Sequence, residues 1–272
     1  MESGYAEVNG TRLYYETAGQ GHPIVLIHGY TLDNRMWNNQ FDTLSQKYKV
    51  IRYDLRGFGK SACPSPGQKY CHTEDLKALL DYLKISKAYV MGLSMGGGIA
   101  VEFTLVHPEV AKALIPVDST LGGFSYSDEF NAIFNELFTK FSEEGLGSAK
   151  KVWMGCQLFK QIFEIPEAAS RFSQLVSDYS GWHWSTNSDA MQSITPAAIR
   201  RLKEINVPVL VIVGKRDMSD FLNIASVMER DIPNARLAIL DDVGHMSNME
   251  DPESFNREVL SFLESLRWTG KD

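Results

Sequence analysis

Apolar residues along this chain follow two periods. Short runs, Ile24 to Ile27, Val50 to Tyr53, Ala88 to Met91 and Val209 to Val213, are apolar almost throughout, partly β-branched, and end in turn signals. Runs that lack polar alternation read as strands buried on both faces. Between them the spacing turns helical: Thr73 to Leu83 sets Leu76, Leu79, Leu80 and Leu83 on one face, and Ser254 to Leu266 repeats the pattern near the end. One more strand, Arg236 to Leu240, precedes that last helix. Alternating strands and helices predict an α/β chain with a mostly parallel, doubly wound sheet.

Two stretches depart from this rhythm. Tyr5 to Val8 and Arg12 to Thr17 flank Asn9-Gly10, a pair suited to a two-residue hairpin, which predicts an antiparallel addition at the sheet edge. From about Ser119 to Thr195 no β-rich run occurs, while Phe130, Ile133, Phe134, Leu137 and Phe138 recur at helical spacing. The chain thus leaves the sheet after Val117-Asp118, the sixth strand, and returns at Val207-Pro208-Val209. A gap of roughly 80 residues is far longer than an ordinary connection and predicts a functional helical insertion. The expected division is a core of residues 1–118 and 196–272 with an insertion of 119–195.

Composition narrows the function classes. A chain of 272 residues, 44% hydrophobic, can bury one sizeable core. The net charge of -7, with no Lys/Arg-rich stretch, argues against nucleic acid as a partner. Cys63, Cys71 and Cys156 lack metal or redox spacing and read as reduced thiols. The acidic start leads into no apolar segment, and no run approaches the roughly 20 residues that span a bilayer. A cytoplasmic protein with no membrane partner is expected; its oligomeric state is left open. With no metal-ligand cluster and no nucleotide-binding fingerprint, neither metal nor cofactor is expected.

The chemistry concentrates at Gly92-Leu93-Ser94-Met95-Gly96, a G-x-S-x-G pattern. Alone it is weak, but here a strand precedes it and a helix begins near Met95. Glycines on both flanks allow a turn that a Cβ would obstruct, and the helix start favours an anion beside Ser94. A serine hydroxyl needs a base, and the base needs a partner that fixes its tautomer. His245, in the loop between the last strand and last helix, is the candidate base. Asp217, directly after the preceding strand, is the candidate acid, with Asp118 as rival because its strand ends on the same edge. His28-Gly29-Tyr30 follows an early strand, so the Tyr30 N–H, with that of Met95, is positioned to receive an oxyanion. Asp54 and Arg56 are read as loop-bracing groups and stay outside the site.

At these residues the sequence resembles the α/β-hydrolase superfamily, in particular its small esterases, lactonases and cofactor-free haloperoxidases. The matches are the His-Gly loop, the nucleophile turn, Arg52 to Ser61 and Gly244-His245. The resemblance implies the α/β-hydrolase fold, with residues 119–195 as a helical cap over Ser94. It also implies a small-molecule ester or lactone as substrate. His28, Gly29, Trp153, Trp182 and Trp184 are the candidate pocket residues, although cap aromatics are as readily explained by packing. Carbon–carbon bond hydrolysis, perhydrolysis and a receptor role with a retained triad are the alternatives.

Overall fold

The computed structural model describes residues 1–185 and 190–266. Residues 186–189 of the expected insertion and 267–272 of the expected core lie outside the described residues.

The chain runs β1 (Glu2–Val8), β2 (Thr11–Ala18), β3 (Pro23–Ile27), α1 (Asn38–Leu44), β4 (Lys49–Tyr53), α2 (His72–Tyr82), β5 (Ala88–Leu93), α3 (Met95–Val106) and β6 (Ala111–Val117). After β6 come α4 (Asp128–Glu144), α5 (Leu146–Gly155), α6 (Pro166–Asp178) and α7 (Trp182–Ser185). The sheet then resumes with β7 (Val209–Gly214), α8 (Ser219–Asp231), β8 (Ala235–Leu240), α9 (Ser247–Glu250) and α10 (Pro252–Ser265).

All eight strands form one sheet in the order β1-β2-β4-β3-β5-β6-β7-β8. Pairing is parallel from β4 through β8, and only β1 with β2 and β2 with β4 are antiparallel. The Asn9-Gly10 turn has both residues at positive φ, 47° and 68°, which matches the right-handed twist of the strands it joins. Strands β5 and β7 are buried at every position, as expected of central strands covered on both faces. The order reverses direction at β3, between β4 and β5, so the loops after β3 and β5 open side by side.

Between β6 and β7 the described residues form helices, α4 to α7 and short 3-10 turns, and no named strand. Leu137, Ala149, Trp153, Phe159, Phe172 and Val176 are buried and join the same apolar core as the sheet. This segment is therefore packed onto the rest of the fold by burial of aromatic and aliphatic faces.

Candidate active site

The turn after β5 is tight because two glycines make room for it. A Cβ on Gly92 would sit 2.1 Å from the Gly96 carbonyl oxygen, and one on Gly96 would sit 2.3 Å from that of Ile27. The start of α3 thus lies directly against the end of β3. Ser94, at the turn, is held at φ 55°, ψ -117°, a conformation that non-glycine residues rarely adopt. Its N–H donates to the Val117 carbonyl at 2.9 Å, and its own carbonyl accepts from Gly98 N–H at 3.1 Å, so backbone bonds on both sides hold the strain.

Ser94 Oγ lies 2.9 Å from His245 Nε2, and His245 Nδ1 lies 2.8 Å from Asp217 Oδ2. Residues 151 and 28 positions apart in sequence are joined because β5, β7 and β8 all end on one sheet edge. His245 is 1% exposed, and the Asp217 side chain is fully covered. Burial pushes the Asp217 carboxyl up, and His245, together with the Met218 N–H that Asp217 Oδ1 accepts at 2.7 Å, pulls it back. The chain order is serine, acid, histidine.

Asp118 is also buried, and lies beside this group without touching the histidine. Its Oδ1 accepts Gly214 N–H at 2.8 Å, and its Oδ2 accepts the Ser247 hydroxyl at 2.6 Å. It ties the strand end that leads to Asp217 to the loop that carries His245. Burial, then the nearby Asp217 charge, push the Asp118 carboxyl well above the usual range.

The Tyr30 and Met95 N–H groups donate to no acceptor among the described residues, and both residues line the cavity that holds Ser94. The loop that carries Tyr30 is braced from two sides. Leu55 N–H donates to His28 Nε2 at 2.9 Å, which leaves the His28 proton on Nδ1, donating to the Gly29 carbonyl at 2.8 Å. From the helical segment, Trp153 Nε1 donates to Thr31 Oγ1 at 2.7 Å, and Thr31 is itself at φ 64° and fully buried. Thr31 gave no sequence signal; a buried threonine at positive φ becomes visible only when its loop is folded.

The Ser94 cavity has a volume of about 240 Å³ and is lined by Gly29, Tyr30 and Trp153 together with Leu, Met, Phe, Thr and Tyr side chains. Three of the expected pocket residues are elsewhere. His28 is fully buried beneath the cavity floor, where its ring nitrogens are consumed by backbone bonds. Trp184 is buried against Phe141 and Tyr179, and Trp182 sits edge-on to His183 and over Gly57, where a Cβ would stand 3.4 Å from its ring; neither lines the Ser94 cavity. Asp54 accepts N–H groups from Asn34 and Lys60, and Arg56 pairs with Asp75 at 2.6 Å in full burial, as loop-bracing groups should. Among the described residues no cluster could hold a metal ion, and all three cysteines are free.

A central parallel sheet, a serine on a strained strand-to-helix turn and a histidine–carboxylate pair on the same edge define a hydrolase architecture. Residues 24–258 match the model of the Alpha/beta hydrolase family, and the chain belongs to that family. It is 28% identical to 2-hydroxy-6-oxo-6-(2'-aminophenyl)hexa-2,4-dienoic acid hydrolase of Metapseudomonas resinovorans, covering 96% of this chain and 92% of that protein. Among solved structures it is similar to the enol-lactonase from Burkholderia xenovorans, with TM-score 0.82, 27% identity and coverage of 96% of this chain and 100% of that one. It is likewise similar to an esterase from Exiguobacterium antarcticum, with TM-score 0.81, 27% identity and coverage of 96% and 99%. No helix among the described residues is long and apolar enough to cross a membrane.

Proposed function

We propose that the protein cleaves a carboxylic ester or lactone through an acyl-enzyme on Ser94, and that 119–195 is a cap over a core of 1–118 and 196–272. The observation that carries this reading is the continuous Ser94–His245–Asp217 hydrogen-bonded chain on the floor of an apolar cavity.

In this mechanism Ser94 Oγ attacks the carbonyl carbon as its proton passes to His245 Nε2. The developing oxyanion is met by the N–H groups of Tyr30 and Met95, both unspent among the described residues. Asp217 holds the Nδ1 proton in place and compensates the imidazolium, which is the state in which its own buried charge is best paired. Collapse of the tetrahedral intermediate breaks the C–O bond, and the departing oxygen takes the proton from His245. Water then attacks the acyl carbon while giving a proton to the same nitrogen, and as the C–Oγ bond breaks Ser94 Oγ takes that proton back and the acid is released. No step needs a cofactor.

The cavity lining favours ester or lactone over the carboxylate-bearing substrates of carbon–carbon hydrolysis. No Lys or Arg is among its lining residues, so an anionic acyl group would be desolvated without a partner. A neutral aliphatic or aromatic acyl group suits the Phe130, Phe134, Trp153 and Phe159 walls. The test is labelling by a fluorophosphonate and turnover of short p-nitrophenyl esters and simple lactones, compared with Ser94→Ala. Both should vanish in the variant while its fold is retained. Turnover that survives in Ser94→Ala rules the scheme out.

A further inference from the structure

The Tyr30 side chain is a meeting point of rings. Among the described residues five aromatic rings surround it: Phe58 at 5.9 Å between ring centroids, Phe134 at 6.3 Å, Trp153 at 5.8 Å, Tyr179 at 6.3 Å and His183 at 5.9 Å. Phe58, Trp153 and His183 stand edge-on to it, an arrangement that ring quadrupoles favour. Four of the five belong to the helical segment, and each comes from a different part of it: Phe134 from α4, Trp153 from α5, Tyr179 from the end of α6 and His183 from α7. Phe58 comes from the loop after β4 and stacks on His183 at 4.1 Å. A Cβ on neighbouring Gly57 would stand 2.7 Å from that imidazole, so α7 is seated directly on the loop. Tyr179 Oη lies 3.0 Å from His183 Nδ1 and accepts the His183 N–H at 3.1 Å, which ties these two residues together. Phe134 and Trp153 line the Ser94 cavity with Tyr30, whereas Phe58, Tyr179 and His183 approach Tyr30 from outside it.

We infer that the Tyr30 side chain is a positioning residue for the proposed oxyanion donor: its ring, met by rings from α4, α5, the end of α6 and α7, fixes the backbone N–H of the same residue. The inference rests on the ester-hydrolase reading. The N–H at position 30 is present whatever the side chain, so donation alone asks nothing of the ring. The loop conformation does, because the next residue, Thr31, is at φ 64°, which needs support from its neighbours. A donor displaced by about 1 Å loses much of its worth in the transition state, while the cavity that binds the ground state is little changed. The ring therefore acts on turnover more than on affinity.

The experiment measures kcat and KM for p-nitrophenyl butyrate, and inhibition by two compounds of the same chain length. A propyl trifluoromethyl ketone adds to the serine and forms an oxyanion; the corresponding secondary alcohol cannot. Tyr30→Leu should lower kcat about 10- to 100-fold with KM within about threefold, and should weaken the ketone in step while leaving the alcohol unchanged. Tyr30→Phe, which returns the ring, should recover most of that loss. His183→Ala is the decisive variant, because His183 is half-buried, lies outside the cavity and meets the Tyr30 ring directly. In it kcat and the ketone should weaken together by about three- to tenfold, again with KM held. Wild-type kcat in His183→Ala overturns the inference whether or not Tyr30→Leu folds. So does a Tyr30→Leu enzyme whose loss lies in KM and falls equally on ketone and alcohol, since that ring would only line the acyl cavity. Wild type that neither turns over the ester nor takes the fluorophosphonate label removes the hydrolase reading itself, and the positioning role with it.

Discussion

Two buried carboxylates stand at the ends of neighbouring strands, and their contacts predict opposite consequences of the same substitution. Asp217 meets a ring nitrogen, so Asp217→Asn presents an amide that can donate to His245 Nδ1 and hold the wrong tautomer. Turnover should fall about 10³–10⁴-fold, the range for a triad that has lost its orienting carboxylate. Asp118 meets only Gly214 N–H and Ser247. In Asp118→Asn the amide oxygen can keep the Gly214 bond and its NH₂ can donate to the Ser247 hydroxyl, which rotates to accept; only the long bond from the Ser247 N–H, at 3.3 Å, is lost. Turnover should stay within about tenfold of wild type, because the loop carrying His245 remains tied. Asp118→Ala instead orphans three donors, the Gly214 N–H, the Ser247 N–H and the Ser247 hydroxyl. At about 1–3 kcal/mol for each buried unsatisfied group, it should cost about 3–9 kcal/mol, less what is regained by removing a buried carboxyl.

The pH dependence separates these variants further. The folded Asp118 carboxyl is raised, so its contribution to stability is complete below the ordinary carboxylate range, near 4, and is lost as pH rises toward its folded value. Asp118→Asn has no such ionisation and should gain on wild type as pH rises from about 4. Urea midpoints for both across that range, with ester turnover at neutral pH, test the pair. If Asp118→Asn loses as much activity as Asp217→Asn, the assignment of the orienting acid to Asp217 is wrong.

Other outcomes follow from single contacts. Gly96→Ala would drive its Cβ into the Ile27 and His28 carbonyls and should abolish soluble folded protein; Gly147→Ala, facing open space within α5, should be neutral or stabilise by up to about 1 kcal/mol in thermal denaturation. His22, His72 and His183 are held neutral by burial at about 4, 3 and 4, below an unfolded value near 6.5. The stability they contribute is complete above pH 6.5 and falls as pH drops toward 4, so the urea midpoint should decline steadily over that window, and a flat profile would contradict their burial. Trp153→Phe keeps the ring in the cavity but frees Thr31; kcat should fall several-fold with little change in KM, and a pure KM effect would mean that Trp153 only contacts substrate.

Much of the site was legible because the fold converts chain order into position. A strand followed by a helix around Ser94, an acid after the next-to-last strand and a histidine after the last one sufficed to choose three residues from a chain with six histidines. The rival acid could not be dismissed that way, since Asp118 satisfies the same positional rule; only its partners, a backbone N–H and a serine, separate it from Asp217. His28, Trp182 and Trp184, expected in the pocket, do not line the Ser94 cavity, for a common reason. Aromatic and imidazole rings serve both as cavity walls and as packing, and which face of a loop or short helix they occupy is decided by tertiary burial.

The helical segment contributes more than a wall to the Ser94 cavity. Trp153 reaches from α5 to Thr31, in the loop whose Tyr30 N–H is the proposed oxyanion donor, and Tyr30 in turn packs edge-on against Trp153 at 5.8 Å. That loop carries a buried threonine at positive φ, a conformation that costs energy unless neighbouring contacts hold it. Its supports come from both sides, from His28 in the sheet layer and from Trp153 in the helices. On the proposed function, seating of the helices over substrate and alignment of the Tyr30 donor are coupled through the Trp153–Thr31 hydrogen bond. A substrate whose acyl group prevents Trp153 from reaching Thr31 would bind in a site with one of its two donors released, and discrimination would appear in the chemical step more than in affinity.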